Sequence, residues 1–241
     1  AIYVPNYADY GTESNTRANA SILIGAQNEG NAISKLFSSK IYSDSTLTKQ
    51  EFIATAEKAS LLHLAMHAKV NNEEPELSRL VFSTTNDQTK DLYLEELYAL
   101  SLSADLAVLS ACNTGVGREN SGRSMESFQR AFTFAGVPAT VASLWEVPDN
   151  STKQIMEIFY TYLSKGFSKS KSLQNAKLEY LRKYENTKLG QPYYWAGFVV
   201  YGEDKAVVEG NSNTQLYGLL GSIGVIGLFG FFIRERRRRA A

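Results

Sequence analysis

The segment ADLAVLSACNTGVG, residues 104–117, runs a short apolar stretch into a glycine-rich turn, with Cys112 at the junction. An apolar run of this length closed by turn residues fits a strand buried on both faces, the kind that parallel sheets contain. A second run of the same kind, LLHLAMHA at residues 61–68, delivers His67 at its end. Working outward, further strands are expected over residues 21–25, 80–83, 139–144 and 196–201, with those of the two runs at 61–66 and 105–110. Amphipathic stretches lie between them. Thr48 and Glu51 have the capping-box spacing that opens a helix running to about residue 59. Asn150 is placed to cap a helix over about 151–165, and two more helices are expected over about 123–135 and 169–184. Alternation of this kind predicts an α/β fold with a largely parallel central sheet.

Composition narrows the function classes. The 241 residues hold 25 basic and 25 acidic side chains and are 44% hydrophobic, which excludes a disordered or disulfide-stapled chain. The balanced charge supplies no basic field of the kind that drives sequence-independent nucleic-acid binding, so no nucleic-acid partner is expected. One cysteine and two histidines cannot build a zinc cluster, and no cofactor or metal is expected. The turn Gly115-Val116-Gly117 lacks the third glycine of a dinucleotide fingerprint, Asn120 standing in its place. Glu73, Glu74 and Glu76 read as a solvated loop.

Charge is unevenly distributed. Arg234 and Arg236 to Arg239, less Glu235, give the C-terminal tail +4 and leave the rest of the chain at −4. Before that tail, residues 216–233 (LYGLLGSIGVIGLFGFFI) carry no charge, the minimum length for a transmembrane helix. Their five glycines would weaken a water-exposed helix but are common in membrane spans. The expected organisation is therefore a globular domain over 1–210, a linker over 211–215, a single-pass transmembrane helix over 216–233 and a basic tail over 234–241. Basic residues mark the cytoplasmic side, which would put the tail in the cytoplasm and the domain in an extracytoplasmic, periplasmic or extracellular, location. A sorting signal would have the same composition. The chain starts at Ala1 without a signal segment and reads as a fragment or processed form of something longer.

Ligands of open α/β sheets bind beyond the carboxyl ends of the strands. If the two runs are parallel neighbours, His67 and Cys112 emerge on one edge, where an imidazole can deprotonate a thiol and the following glycines let a peptide backbone approach. Lone cysteines also serve as small buried hydrophobes, and a histidine in a strand interior, such as His63, is usually a core residue, so the spacing alone leaves both roles open.

The blocks LLHLAMHA, LVFSTT, LYLEELYAL, ADLAVLSACNTGVG, ESFQRAFTFAGVPATVASLWEVPDNST, MEIFYTYLSKG and YYWAGFVVYGE, in that order, resemble the CHAT domain, a caspase-like peptidase domain related to separase and often preceded by TPR repeats. The resemblance spans about residues 25–202. It implies a caspase-like three-layer fold and a cysteine endopeptidase acting on a protein or peptide substrate, with upstream TPR repeats or a regulatory partner. It also implies a catalytic dyad of His67 and Cys112, with backbone N–H groups of Cys112 and Ala68 forming the oxyanion hole. By position the substrate pocket would take in Ser110, Ser143, Leu144, Trp145 and Asp149. Basic-specific relatives carry an acid two residues before the cysteine, where this chain has Ser110; Glu146 or Asp149 would have to supply one. Trp195 is implied to face the core from the last strand. The sequence departs from the family at Ala68, usually glycine, at the turn Asn120 to Ser124, and in lacking a PDG-type segment, whose strands would precede Ala1. These departures leave a second reading, a catalytically inactive scaffold that binds a protein partner.

Overall fold

The computed structural model describes residues 1–5, 18–44, 47–71, 73–82, 90–110, 121–145 and 147–208. In chain order the elements are β1 (Ile2–Pro5), α1 (Ala18–Leu36), β2 (Ile41–Asp44), α2 (Lys49–Ala56), β3 (Leu61–Leu64), β4 (Ala68–Lys69), β5 (Arg79–Leu80), β6 (Leu92–Tyr93), α3 (Leu94–Tyr98), β7 (Leu106–Leu109), α4 (Ser121–Phe134), β8 (Ala139–Ser143), α5 (Asp149–Ser164), α6 (Lys169–Tyr184) and β9 (Phe198–Gly202). The main sheet has the order β2-β1-β3-β7-β8-β9. Its strands are parallel except β9, which runs antiparallel to β8.

Alternation along the strands divides the core in two. Leu62, Leu64, Ala107, Leu109 and Ala142 face one side and pack with Phe52 of α2, Leu97 of α3 and Phe128 and Phe132 of α4. Leu61, Leu106, Val108 and Val141 face the other and pack with Ile33 of α1, Phe159 of α5 and Tyr180 of α6. Helices on both faces make a three-layer α/β fold and account for strands that are apolar throughout. A separate three-stranded antiparallel sheet, β4-β5-β6, follows β3.

Thr48 caps α2, its Oγ1 accepting from the Glu51 N–H at 3.1 Å, and α6 spans the expected residues. Other expectations need correcting. Residues 21–25 are not a strand but lie inside α1. Their branched residues look extended, yet the buried positions Ala26, Glu29, Gly30 and Ile33 recur at helical spacing, and that packing overrides local propensity. Of residues 80–83, Leu80 lies in β5 of the small sheet rather than in the main one. Asn150 does not cap α5: the helix begins at Asp149, and the Pro148 carbonyl accepts from the N–H groups of Ser151 and Thr152. Trp195 packs half-buried against the core as expected but precedes β9 rather than lying in it, its Nε1 donating to the Gly190 carbonyl at 2.9 Å.

Among the described residues no helix is long and apolar enough to cross a membrane; the expected linker, span and tail lie outside the described residues.

Candidate active site

The parallel strands run in the order 2-1-3-7-8, which reverses direction between β1 and β3, and the crevice at the carboxyl ends there is where sheets of this type hold ligands. β3 pairs with β7 in a register that matches Leu61 with Leu106 and Leu64 with Leu109, positions 45 apart. The ladder continues past Leu64, because Ser110 N–H donates to the Leu64 carbonyl at 3.1 Å. His67 lies three residues beyond Leu64, and Cys112 three beyond Leu109, so this pair is also 45 apart. Cys112 and its turn, residues 111–120, lie outside the described residues, as does Glu146.

His67 is half-buried, and burial, with a smaller contribution from the Lys69 charge, lowers its pKa below 6.5. The neutral imidazole, able to accept a proton, is therefore the favoured form at neutral pH. Its carbonyl accepts from Val81 N–H at 2.9 Å, which ties the end of β3 to the small sheet. That bond identifies Ala68 and Leu80 as the pair of the β4–β5 ladder that does not exchange hydrogen bonds. The Ala68 N–H therefore points away from β5, off the edge of the small sheet, and has no hydrogen-bond partner among the described residues. Ala68 occupies extended backbone and its methyl is packed in the core, so alanine in place of glycine carries no left-handed strain here.

The small sheet is clamped by Arg79, whose Nε lies 2.9 Å from Asp91 Oδ2, while Asp91 Oδ1 accepts from Phe82 N–H at 3.3 Å. Burial raises the Asp91 pKa against these partners. Neither this clamp nor Lys69 was anticipated; a basic residue two positions after the histidine was the only available signal.

The remaining predicted residues differ in exposure. Ser110 and Ser143 are buried at the carboxyl ends of the neighbouring strands β7 and β8. Trp145 is half-buried; its Nε1 donates to the Tyr193 carbonyl at 2.9 Å, and its ring lies against Gly197. Asp149 is an exposed first residue of α5. His63 is a core residue. Its Nδ1 lies 3.0 Å from the Tyr160 hydroxyl and its Nε2 3.2 Å from Glu29 Oε1. The latter contact is poorly aligned for a hydrogen bond. Among the described residues no cluster of His, Cys, Asp and Glu could hold a metal ion.

The fold is similar to that of the caspase-like cysteine proteases. The Arg-specific cysteine proteinase gingipain R (RgpB) superimposes with a TM-score of 0.53 at 14% identity, over 86% of this chain and 46% of its own. The complex of Porphyromonas gingivalis RgpB pro- and mature domains gives a TM-score of 0.51, also at 14% identity, over 86% and 47%. At this identity the likeness is one of fold.

The sequence profile of the CHAT domain matches residues 6–203, and the chain belongs to that family. Tetratricopeptide repeat protein 28 of Mus musculus is 33% identical over 124 residues, 51% of this chain and 5% of the relative. Its Homo sapiens counterpart is 34% identical over 90 residues, 37% of this chain and 3% of the relative. The chain thus spans only a small part of the length of these curated relatives.

Proposed function

We propose that this CHAT domain is a cysteine endopeptidase in which Cys112 is the nucleophile and His67 the general acid and base. The observation that carries this reading is the β3–β7 register, whose offset equals the separation of the two residues. In the proposed reaction His67 takes the Cys112 proton, the thiolate forms a C–S bond to the scissile carbonyl carbon, and the tetrahedral oxyanion accepts from the N–H groups of Ala68 and Cys112. The imidazolium then protonates the leaving amine as the C–N bond breaks, and water hydrolyses the thioester. The lowered pKa of His67 supports the first step, and the outward Ala68 N–H supports the oxyanion hole. The proposed substrate pocket takes in Ser110, Ser143, Trp145 and Asp149.

The test is covalent labelling by peptidyl acyloxymethyl ketones, with mass spectrometry to locate the adduct. Labelling of Cys112 that disappears in His67→Ala is expected; labelling equal to that of a denatured control would refute the reading.

Two further parts rest on sequence. Residues 216–233 anchor the domain in a membrane, tail inside and domain extracytoplasmic, which tag accessibility to added protease from either side would check. The domain works beside upstream repeats, a context supported by the tetratricopeptide repeat proteins among its relatives.

A further inference from the structure

The carboxyl-end row of the main sheet, on the face covered by α1 and α5, contains a discontinuity. Extending the register by one residue beyond its last parallel pairs sets Val4, Ala65, Ser110 and Ser143 side by side on four neighbouring strands, and Ser143 in turn pairs with Phe198. Val4, Ala65 and Phe198 belong to the apolar core of that face. By alternation from Val108 and Val141, which share that core, Ser110 and Ser143 face the same way. An otherwise apolar row thus carries two adjacent hydroxyls, each only 4% exposed.

The two hydroxyls of the first turn of α5 are occupied: Ser151 Oγ pairs with the Tyr180 hydroxyl at 2.8 Å and Thr152 Oγ1 donates to the Val147 carbonyl at 3.2 Å. Ser110 Oγ differs from these: like Thr140 Oγ1, which alternation puts on the other face of β8, and Ser172 Oγ of α6, it is buried and has no hydrogen-bond partner among the described residues. An orphaned buried hydroxyl weakens a fold unless something supplies its partner, so Ser110 Oγ is a donor available to an accepting ligand group. Ser110 is two residues before Cys112. Among the described residues, which leave out Glu146, the buried carboxylate on this face is Glu29, which faces His63, one pleat repeat (roughly 7 Å) further from the strand ends. Asp149 is exposed to solvent.

We propose that Ser110 and Ser143 form the floor of the pocket for the residue preceding the cleaved bond, and that this pocket selects an uncharged hydrogen-bonding side chain, an amide or a hydroxyl, over Arg and Lys. The proposal rests on the peptidase reading above. An amide oxygen can accept from Ser110 Oγ while its NH2 donates to Ser143, which matches the orphaned group; a guanidinium or ammonium would meet no carboxylate in the row and would be desolvated without a counter-charge.

The experiment uses the longer protein containing this chain and acyloxymethyl-ketone probes identical except for Asn, Gln, Ser, Leu, Arg or Lys next to the warhead. Asn, Gln or Ser probes are expected to label Cys112 about tenfold or more faster than Arg or Lys probes. Ser110→Asp should reverse that order, and Ser110→Ala should slow the Asn and Gln probes selectively without lowering the melting temperature, since no hydrogen bond is lost. Faster labelling by Arg, Lys or Leu in the unaltered protein would overturn the proposal and leave the peptidase reading standing. A loss of thermal stability in Ser110→Ala would overturn it too, by giving the hydroxyl a structural role. Absence of labelling by every probe would instead overturn the peptidase reading, and the pocket with it.

Discussion

Replacing His63 by leucine should destabilise the domain by more than the loss of one side chain's packing would. His63 sits in the middle of β3 with its imidazole wholly buried, between Glu29 of α1 and Tyr160 of α5. Burial, followed by the Glu29 charge, raises the Tyr160 pKa well above 10, so its hydroxyl stays protonated and can donate to Nδ1. That leaves the Nε2 side of the ring toward Glu29 Oε1, at 3.2 Å. His63→Leu removes the polar group that faces a carboxylate 4% exposed and the acceptor of the Tyr160 hydroxyl, and leaving buried polar groups without partners costs about 1–3 kcal/mol. Tyr160→Phe leaves only the Nδ1 of His63 without its hydroxyl partner, about 1–3 kcal/mol. The double change Glu29→Met with His63→Leu removes the unpartnered carboxylate and should be more stable than His63→Leu alone. For a domain of this size about 1–3 kcal/mol corresponds to roughly 2–12 °C in Tm. Urea and thermal unfolding of the three variants would measure it. If His63→Leu lies within about 0.5 kcal/mol of the unaltered protein, or the double variant is the least stable, the network does not hold α1 and α5 to β3.

Three other outcomes follow from the site. Because the folded state lowers the His67 pKa below 6.5, it binds that proton less readily than the unfolded chain; the stability contribution is complete above 6.5 and is lost as pH falls toward the folded value. The acid limb of the Cys112 labelling profile should accordingly lie below 6.5, and Lys69→Gln should move it upward; no movement would discount the Lys69 charge. Ala68→Pro removes an N–H that the β4–β5 ladder does not use; its ring overpacks a buried position at a cost of about 1–3 kcal/mol, and labelling of the folded variant should fall by about a hundredfold or more, the cost of one oxyanion donor. Equal labelling would remove Ala68 from the oxyanion hole. Gly197→Ala would put a methyl 2.9 Å from Val147 Cγ2 and 3.0 Å from Trp145 Cε2, an overpacking that should cost about 1–3 kcal/mol and alter tryptophan fluorescence. An unchanged spectrum and Tm would mean that the indole is not seated on Gly197.

The parts of the fold that were legible in the sequence are those where burial and local pattern agree. The strands β3, β7 and β8 are apolar because helices cover both faces, and α6 spans the residues expected of it, with Ser168 Oγ accepting from Lys171 N–H at its start. α1 was misread because its buried stripe contains Glu29 and Gly30, which hide the helical period behind the β-branched residues that precede it. β1 has four residues and β4 and β6 two each, too few to display any period; only their partners make them strands. The burial of His63 could be expected from its place in the run, but Glu29 and Tyr160 lie 34 positions before and 97 after it.

The same limit governs the site, as Ala68 and the two serines illustrate. Read along the chain, alanine after the histidine is a defect, because the family's glycine suggests a left-handed turn there. The cost exists only if the backbone turns, and the pairing of β4 with β5 keeps it extended. Which way its N–H points follows from the hydrogen bond between Val81 and His67, a fact of pairing rather than of composition. Ser110 and Ser143 are likewise two ordinary serines 33 positions apart until the register of β7 with β8 sets them side by side in an apolar row. The chemistry of the site thus belongs less to individual residue types than to the register between strands, and for that reason the residue types could be read from the chain while their joint action could not.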